Sequence, residues 1–204
     1  MLSINSRAYT YNTQLITTYR AACRNRGNLR LIEQEEIIDN RPFIPKGKDP
    51  LSWKISIQKK YPGLPKTWSS SVRPDDALGF EFLDDNNARS YFFLEVDMAT
   101  EPQRRSNFFQ TAYYKKLVKY FESWHQNLFP KNFNFKKVRK LTVTTTEQRA
   151  QNMLRMQKEI DPRKKGFKMF LFTTLDKFDL KDPELSLKKI WINGRGEKVS
   201  LIDE

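Results

Sequence analysis

The chain has 204 residues, 38% hydrophobic and 30% charged, with a net charge of +13, one cysteine and one histidine. That length suits one sizeable core; a lone Cys23 and a lone His125 exclude an internal disulfide and argue against a zinc site, so a metal here would be held by oxygen. No segment approaches the roughly 18 continuous apolar residues of a transmembrane helix, and Met1 to Tyr11 lacks the apolar centre of a secretory signal, so a cytoplasmic protein with no membrane partner is expected. Taken in order, Tyr11 to Asn25 spaces Leu15, Ile16, Tyr19, Ala22 and Cys23 as a helix does, and Gly27 follows as its cap. Leu29 to Ile32 and then Glu36 to Ile38 read as a strand or bent strand, and one of Glu33, Glu35 or Glu36 is a candidate extra carboxylate. Residues 41–71, rich in Pro and Lys, read as a surface insertion that Trp53, Ile55, Ile57 and Tyr61 could pack onto the core.

Val72 to Asp97 is the most informative stretch. Two aromatic-rich runs flank Asp84-Asp85-Asn86-Asn87, which predicts a β-hairpin with a four- or five-residue loop. Setting Leu83 opposite Arg89 puts Asp75 opposite Asp97 and Ala77 opposite Glu95, so Asp75, Glu95 and Asp97 share a face. A loop one residue shorter puts Asp76 in place of Asp75. Carboxylates whose Cβ atoms lie about 5 Å apart repel one another. Mg²⁺ or Mn²⁺ would relieve this, since hard cations bind through one or two carboxylates and keep several waters. The alternative is a set of exposed strand-end acids partnered by Arg73 and Arg89.

Beyond the hairpin, Thr100-Glu101-Pro102 reads as a helix start. That helix is expected to run to about Leu128, with Phe109, Tyr113, Leu117, Tyr120, Phe121, Trp124 and Leu128 as a core stripe and Lys116 at its edge. Pro130 is expected to end it. Val138 to Thr144 alternates as a strand, Thr145 or Thr146 caps a helix burying Ala150, Met153, Leu154 and Gln157, and Phe167 to Thr173 is a last apolar strand. Residues 176–204 are left as a short tail on a single domain whose core spans about 11–175.

Pro74-Asp75 followed about twenty residues later by Glu95-Val96-Asp97 resembles the PD-(D/E)XK nuclease superfamily. The wording Arg73-Pro74-Asp75, then Phe93-Leu94-Glu95-Val96-Asp97, then Thr100-Glu101 is similar to its replication-relaxation branch, which includes plasmid mobilisation proteins. Lys116-Leu117 with Tyr120, and Leu141 to Thr144 with Arg149 and Asn152-Met153-Leu154, resemble that branch too, over roughly residues 11–195. The resemblance implies an α/β (α+β) fold with a restriction-endonuclease-like αβββαβ core, a mixed central sheet flanked by helices. Relatives commonly carry a winged-helix segment ahead of this domain, for which this sequence leaves no room.

The resemblance also implies that Asp75 and Glu95 hold Mg²⁺ or Mn²⁺ with the carbonyl of Val96, and that a lysine orients the nucleophile. Asp97 stands where that lysine belongs. Three readings stay open: Lys116 supplies the cation, Asp97 is a third ligand, or the site binds without cutting. Residues 101–204 hold 23 Lys and Arg against 12 Asp and Glu, whereas residues 1–100 hold 14 against 12. Such an imbalance suits a polyanion, and the candidate DNA contacts are Arg104, Arg105, Lys136, Lys137, Arg139, Lys140, Arg163, Lys164 and Lys165. The expectation is a Mg-dependent DNA endonuclease or nickase for replication or mobilisation of a mobile element. The alternative is an inactive DNA-binding accessory protein partnering a relaxase or replication protein. An RNA-binding module is a third reading, without an aromatic RNP motif to support it.

Overall fold

The computed structural model describes residues 4–42, 49–99 and 112–202, with side chains from Tyr9 onward. It is a mixed α/β fold. Helix α1 (Ile4–Arg26) leads into strand β1 (Leu29–Ile32), the short helix α2 (Gln34–Asp39) and a hairpin, β2 (Trp53–Ile57) and β3 (Trp68–Val72). Strands β4 (Asp76–Phe82) and β5 (Ala88–Asp97) come next, then α3 (Tyr113–His125), α4 (Leu128–Phe133), β6 (Val138–Thr144), α5 (Glu147–Ile160) and β7 (Phe170–Thr174). Two 3₁₀ turns lead to β8 (Trp191–Asn193) and β9 (Lys198–Val199). The main sheet has seven strands in the order β1-β4-β5-β6-β7-β8-β9. The first three are each antiparallel to their neighbour, β5, β6 and β7 are parallel, and β8 and β9 return antiparallel.

The sheet is covered on both faces. Helices α3 and α5 and the β2–β3 hairpin pack on one, against Ala77, Phe93 and Phe172. Helix α1 and the carboxy-terminal stretch pack on the other, against Leu78, Phe80, Phe92 and Leu141. Strands buried on both faces explain the nearly unbroken apolar run from Tyr91 to Leu94. Among the described residues no helix is long and apolar enough to cross a membrane.

The loop of the central hairpin fixes its register. Five residues, Leu83 to Asn87, separate the paired Phe82 and Ala88, and Asn86 and Asn87 close the turn at φ 48° and 54°. Asparagine tolerates this left-handed backbone better than most side chains. Asp76 therefore pairs with Leu94, two steps from the expected register, which brings Asp75 beside Glu95 rather than Asp97. A two-residue slip keeps every side chain on its face, whereas a one-residue slip would reverse them all.

Four sequence expectations need correction. Glu36 to Ile38 belong to α2, a helix of 6 residues that buries only Ile37, too short for helical spacing to show. Helix α3 begins at Tyr113 after an extended Ala112 (φ −149°, ψ 147°), so it is not one continuous helix from Thr100; Thr100 to Pro102 lie outside the described residues. Nor does Pro130 end α3. The helix stops at His125, Asn127 turns left-handed, and Pro130 falls in the first turn of α4, where its missing N–H has no partner to lose.

The fourth correction concerns residues 176–204, read as a tail; in the other stretch read as peripheral, Trp53, Ile55, Ile57 and Tyr61 do pack onto the core, as expected. Trp53 of β2 stacks on Phe93 at 5.2 Å, meets Tyr120, Phe129 and Phe133 edge-on, and donates its indole N–H to Ser123 Oγ at 2.8 Å. The carboxy-terminal stretch adds β8 and β9 to the sheet and buries Leu187, Trp191 and Leu201 completely. Its anchor is a close crossing of Gly166 and Gly194. A Cβ on Gly194 would lie 2.2 Å from the Phe167 carbonyl oxygen, so only glycine lets the two chains touch.

Candidate active site

The carboxyl ends of β5 and β6 and the amino-terminal turns of α3 and α5 meet on the face that α3 covers. Glu95, 3% exposed, stands at their centre. Its Oε1 accepts the Tyr120 hydroxyl at 2.9 Å and its Oε2 accepts Lys116 Nζ at 3.3 Å. Asp75 sits just before β4, with its N–H on the Leu94 carbonyl at 3.0 Å and its Oδ2 accepting the Val96 N–H at 2.8 Å. Burial and the neighbouring Glu95 carboxylate push the Asp75 acid up to about 6, although Val96 N–H, Lys116 and Lys140 pull the other way.

Lys140 is the unexpected member. The sequence pattern makes it a surface cation for DNA, whereas it is 1% exposed and on the same face as Phe93, its register partner. Its Nζ donates to Thr142 Oγ1 at 2.8 Å and to the Tyr113 hydroxyl at 3.2 Å, and lies 4.9 and 5.0 Å from the Tyr113 and Tyr120 ring centroids. Burial lowers its ammonium to about 8, opposed by the Glu95, Asp75 and Asp97 carboxylates. The alternation Lys140, Thr142, Thr144 around Leu141 and Val143 holds the missed signal: three polar residues share one face of the strand.

Asp97 lies on the same face but is engaged elsewhere. Arg149, from the first turn of α5, forks onto it, with Nη2 at 2.8 Å from Oδ1 and Nε on Oδ2, and the Thr144 hydroxyl adds a bond of 2.8 Å to Oδ2. Arg149 is aimed by a helix that Thr146 caps, its hydroxyl accepting the Arg149 N–H at 3.3 Å. Asp76 points to the opposite face, where its Oδ2 accepts Asn12 Nδ2 at 2.9 Å, so it cannot substitute for Asp75. Asp75 and Asp76 nevertheless both line a cleft of about 610 Å³ together with Glu33, Glu35, Arg20 and Arg73. Within it Glu33 is taken by Arg20 at 2.7 Å, while Glu36 is paired with Arg30 at 2.6 Å. The alternative partners of the hairpin acids are otherwise bonded: Arg73 to Asp49 at 2.5 Å and Arg89 to Glu81 at 2.6 Å.

The remaining sequence candidates do not surround this site. Lys136, Lys137, Arg163, Lys164 and Lys165 are exposed at the opposite end of the sheet. From Thr142, beside Glu95, back to Lys136 is about 20 Å at 3.3 Å per residue. Arg139 is half-buried on the other face, donating to the Leu201 carbonyl at 2.9 Å with its guanidinium 4.8 Å from the Phe92 ring centroid. Arg104 and Arg105 lie outside the described residues.

The Mg²⁺ or Mn²⁺ that the resemblance implies can be tested against these donors. Among the described residues no group of three or more Asp, Glu, His or Cys could hold a metal, and Asp97 is withheld by Arg149. Asp75 and Glu95 still fit, because two carboxylates are an ordinary Mg²⁺ donor set when water completes the sphere. Their position side by side, with Glu95 buried and the Asp75 acid raised, is the imbalance a cation would relieve. Compared with models of known protein families, with curated proteins and with solved structures, the chain finds no match.

Proposed function

We propose that this chain is a divalent-metal-dependent DNA endonuclease or nickase of the PD-(D/E)XK type, akin to the replication-relaxation branch and serving a plasmid or another mobile element. The observation that carries the reading is the Asp75–Glu95 pair, Glu95 buried and Asp75 partly so, with Lys116 bonded to Glu95 and Lys140 enclosed behind it on Thr142 and Tyr113. The element order supports it as well. Helix α1, the antiparallel β1, β4 and β5, then α3 on the opposite face and β6 parallel to β5 match the αβββαβ order that the resemblance implies, with α2 and β2–β3 inserted.

Asp75 and Glu95 would hold the metal, which when bound supplies Lewis acidity and a water of lowered pKa. Lys116, its side chain 31% exposed, can meet a phosphate oxygen while it holds Glu95. Lys140 is out of a substrate's reach and acts behind Glu95 as a positioning residue, taking the electrostatic part of the absent motif lysine. Tyr120 fixes one Glu95 oxygen and leaves the other to Lys116.

One observation favours the accessory-protein reading: the Asp97–Arg149 bridge occupies the motif position. Supercoiled plasmid incubated with Mg²⁺ or Mn²⁺ tests both. Nicking or linearisation by wild type, lost in Glu95→Ala and reduced in Lys116→Ala, is the expected result. Intact plasmid with retained DNA binding would leave the accessory reading standing.

A further inference from the structure

The end of the sheet remote from the carboxylates carries its own features. Two neighbouring clefts there, about 770 and 240 Å³, share Lys136, Lys137, Arg139 and Lys168 as lining. Lys136 and Lys137 have no carboxylate partner among the described residues, and Lys168 is only loosely paired, 3.7 Å from Glu197. The smaller cleft is also lined by Trp124, at the last turn of α3 and 51% exposed. That exposure sets it apart from the other tryptophans. Trp53, Trp68 and Trp191 are 4%, 7% and 0% exposed.

The Trp124 ring rests against a built support. Phe167 stacks on Phe121 at 4.5 Å and lies 6.3 Å from Trp124. The basic turn before Phe167 is fixed as well: Asp161 accepts the N–H groups of Arg163, Lys165 and Gly166 at 2.9, 3.0 and 2.9 Å. Arg163, Lys164 and Lys165 therefore lie on a pinned backbone just ahead of Phe167.

We propose that this surface binds single-stranded nucleic acid, with a base stacked on Trp124 and the adjoining phosphates on Lys136, Lys137 and Lys168. An indole face can take only a base that has left its own stack, and a cluster of cations with an aromatic platform is how unpaired strands are held without sequence preference. The proposal rests on nucleic acid being the ligand of the Proposed function, but not on cleavage.

The test is titration of a short oligo(dT) followed by both tryptophan fluorescence and anisotropy of a labelled strand. Because three of the four tryptophans are buried, quenching reports on Trp124. Binding should be accompanied by quenching, and Trp124→Ala should weaken it about 10-fold or more, as loss of a stacking platform does. Trp124→Phe, which preserves packing on Phe121, should retain most of the affinity. Lys136→Glu with Lys137→Glu should flatten the dependence of log affinity on log salt by about 0.7 per lost phosphate contact. Failure of oligo(dT) to bind, unchanged affinity in Trp124→Ala, or duplex bound as tightly as single strand without quenching overturns the proposal. Binding with quenching alongside an uncut plasmid would uphold it and reject the nuclease reading alone.

Discussion

Asp75 and Lys140 make the candidate site titrate in opposite senses. The Asp75 acid, near 3.9 when unfolded, is raised to about 6 by burial and by Glu95. Its contribution to stability is thus complete below the unfolded value and lost as pH rises through about 6. Asp75→Asn should be indistinguishable from wild type near pH 4 and more stable by about 1–3 kcal/mol at pH 7 in chelator. Mg²⁺ should then raise the midpoint of wild type and leave Asp75→Asn unmoved, because a ligand of the native state stabilises by mass action. Denaturant titrations at the two pH values, with and without the cation, check both statements. Lys140, depressed to about 8, runs the other way: its contribution is present above the unfolded value near 10.5 and is lost as pH falls through about 8. Lys140→Met should abolish the rise in stability between those values, read as the difference from wild type in the same titration. Lys140 was hidden in the sequence for a physical reason. With both faces of the sheet covered, a polar residue in an alternating strand need not point to water, and only the carboxylates across the ladder reveal why an ammonium is tolerated there. Asp75 and Glu95 were legible because a register error of two leaves parity untouched. Asp97 was legible as a neighbour and not as a participant, since its partner Arg149 comes from a helix far along the chain.

At the scale of elements, β4 to β7 could be read from the sequence because long apolar or alternating runs carry strong periodicity. The β2–β3 hairpin could be read only in part. Its strands have the pattern buried-exposed-buried, but proline on either side made them look like an excursion. Trp53 separates the two descriptions. As the hub of Phe93, Tyr120, Phe129 and Phe133 it belongs to the core, and Trp53→Ala should cost about 3–5 kcal/mol in a urea titration. A loss within about 0.5 kcal/mol, the usual surface range, would return the hairpin to the status of a decoration. The same logic explains α2 and the start of α3. A helix of 6 residues offers too few positions for a stripe to emerge, and the aromatic spacing that marks α3 runs on in the sequence past Ala112, whose extended backbone the spacing does not reveal.

For the whole molecule, the carboxy-terminal stretch decides whether the sheet has a covered edge. Residues 176–204 resemble a tail because their apolar residues fall in short groups broken by charged residues, yet Leu187, Trp191 and Leu201 fill the face under α1 and β8 pairs with β7. Truncation after Lys177 should expose that face and yield insoluble or molten protein, seen as loss of a cooperative thermal transition. The overall charge, +13, was legible at once; its placement was not, because a strand of seven residues moves a cation from one end of the sheet to the other. Acids and bases roughly balance around Asp75 and Glu95, while the lysines of the far end stand in excess. Among the described residues, the lysine-rich end is therefore the one that would meet an approaching polyanion first. On the proposed function, encounter and chemistry would then be separated in time: charge reversals at Lys136 and Lys137 should slow association with DNA, whereas neutral substitutions around Glu95 should leave the association rate alone and alter only the steps after docking.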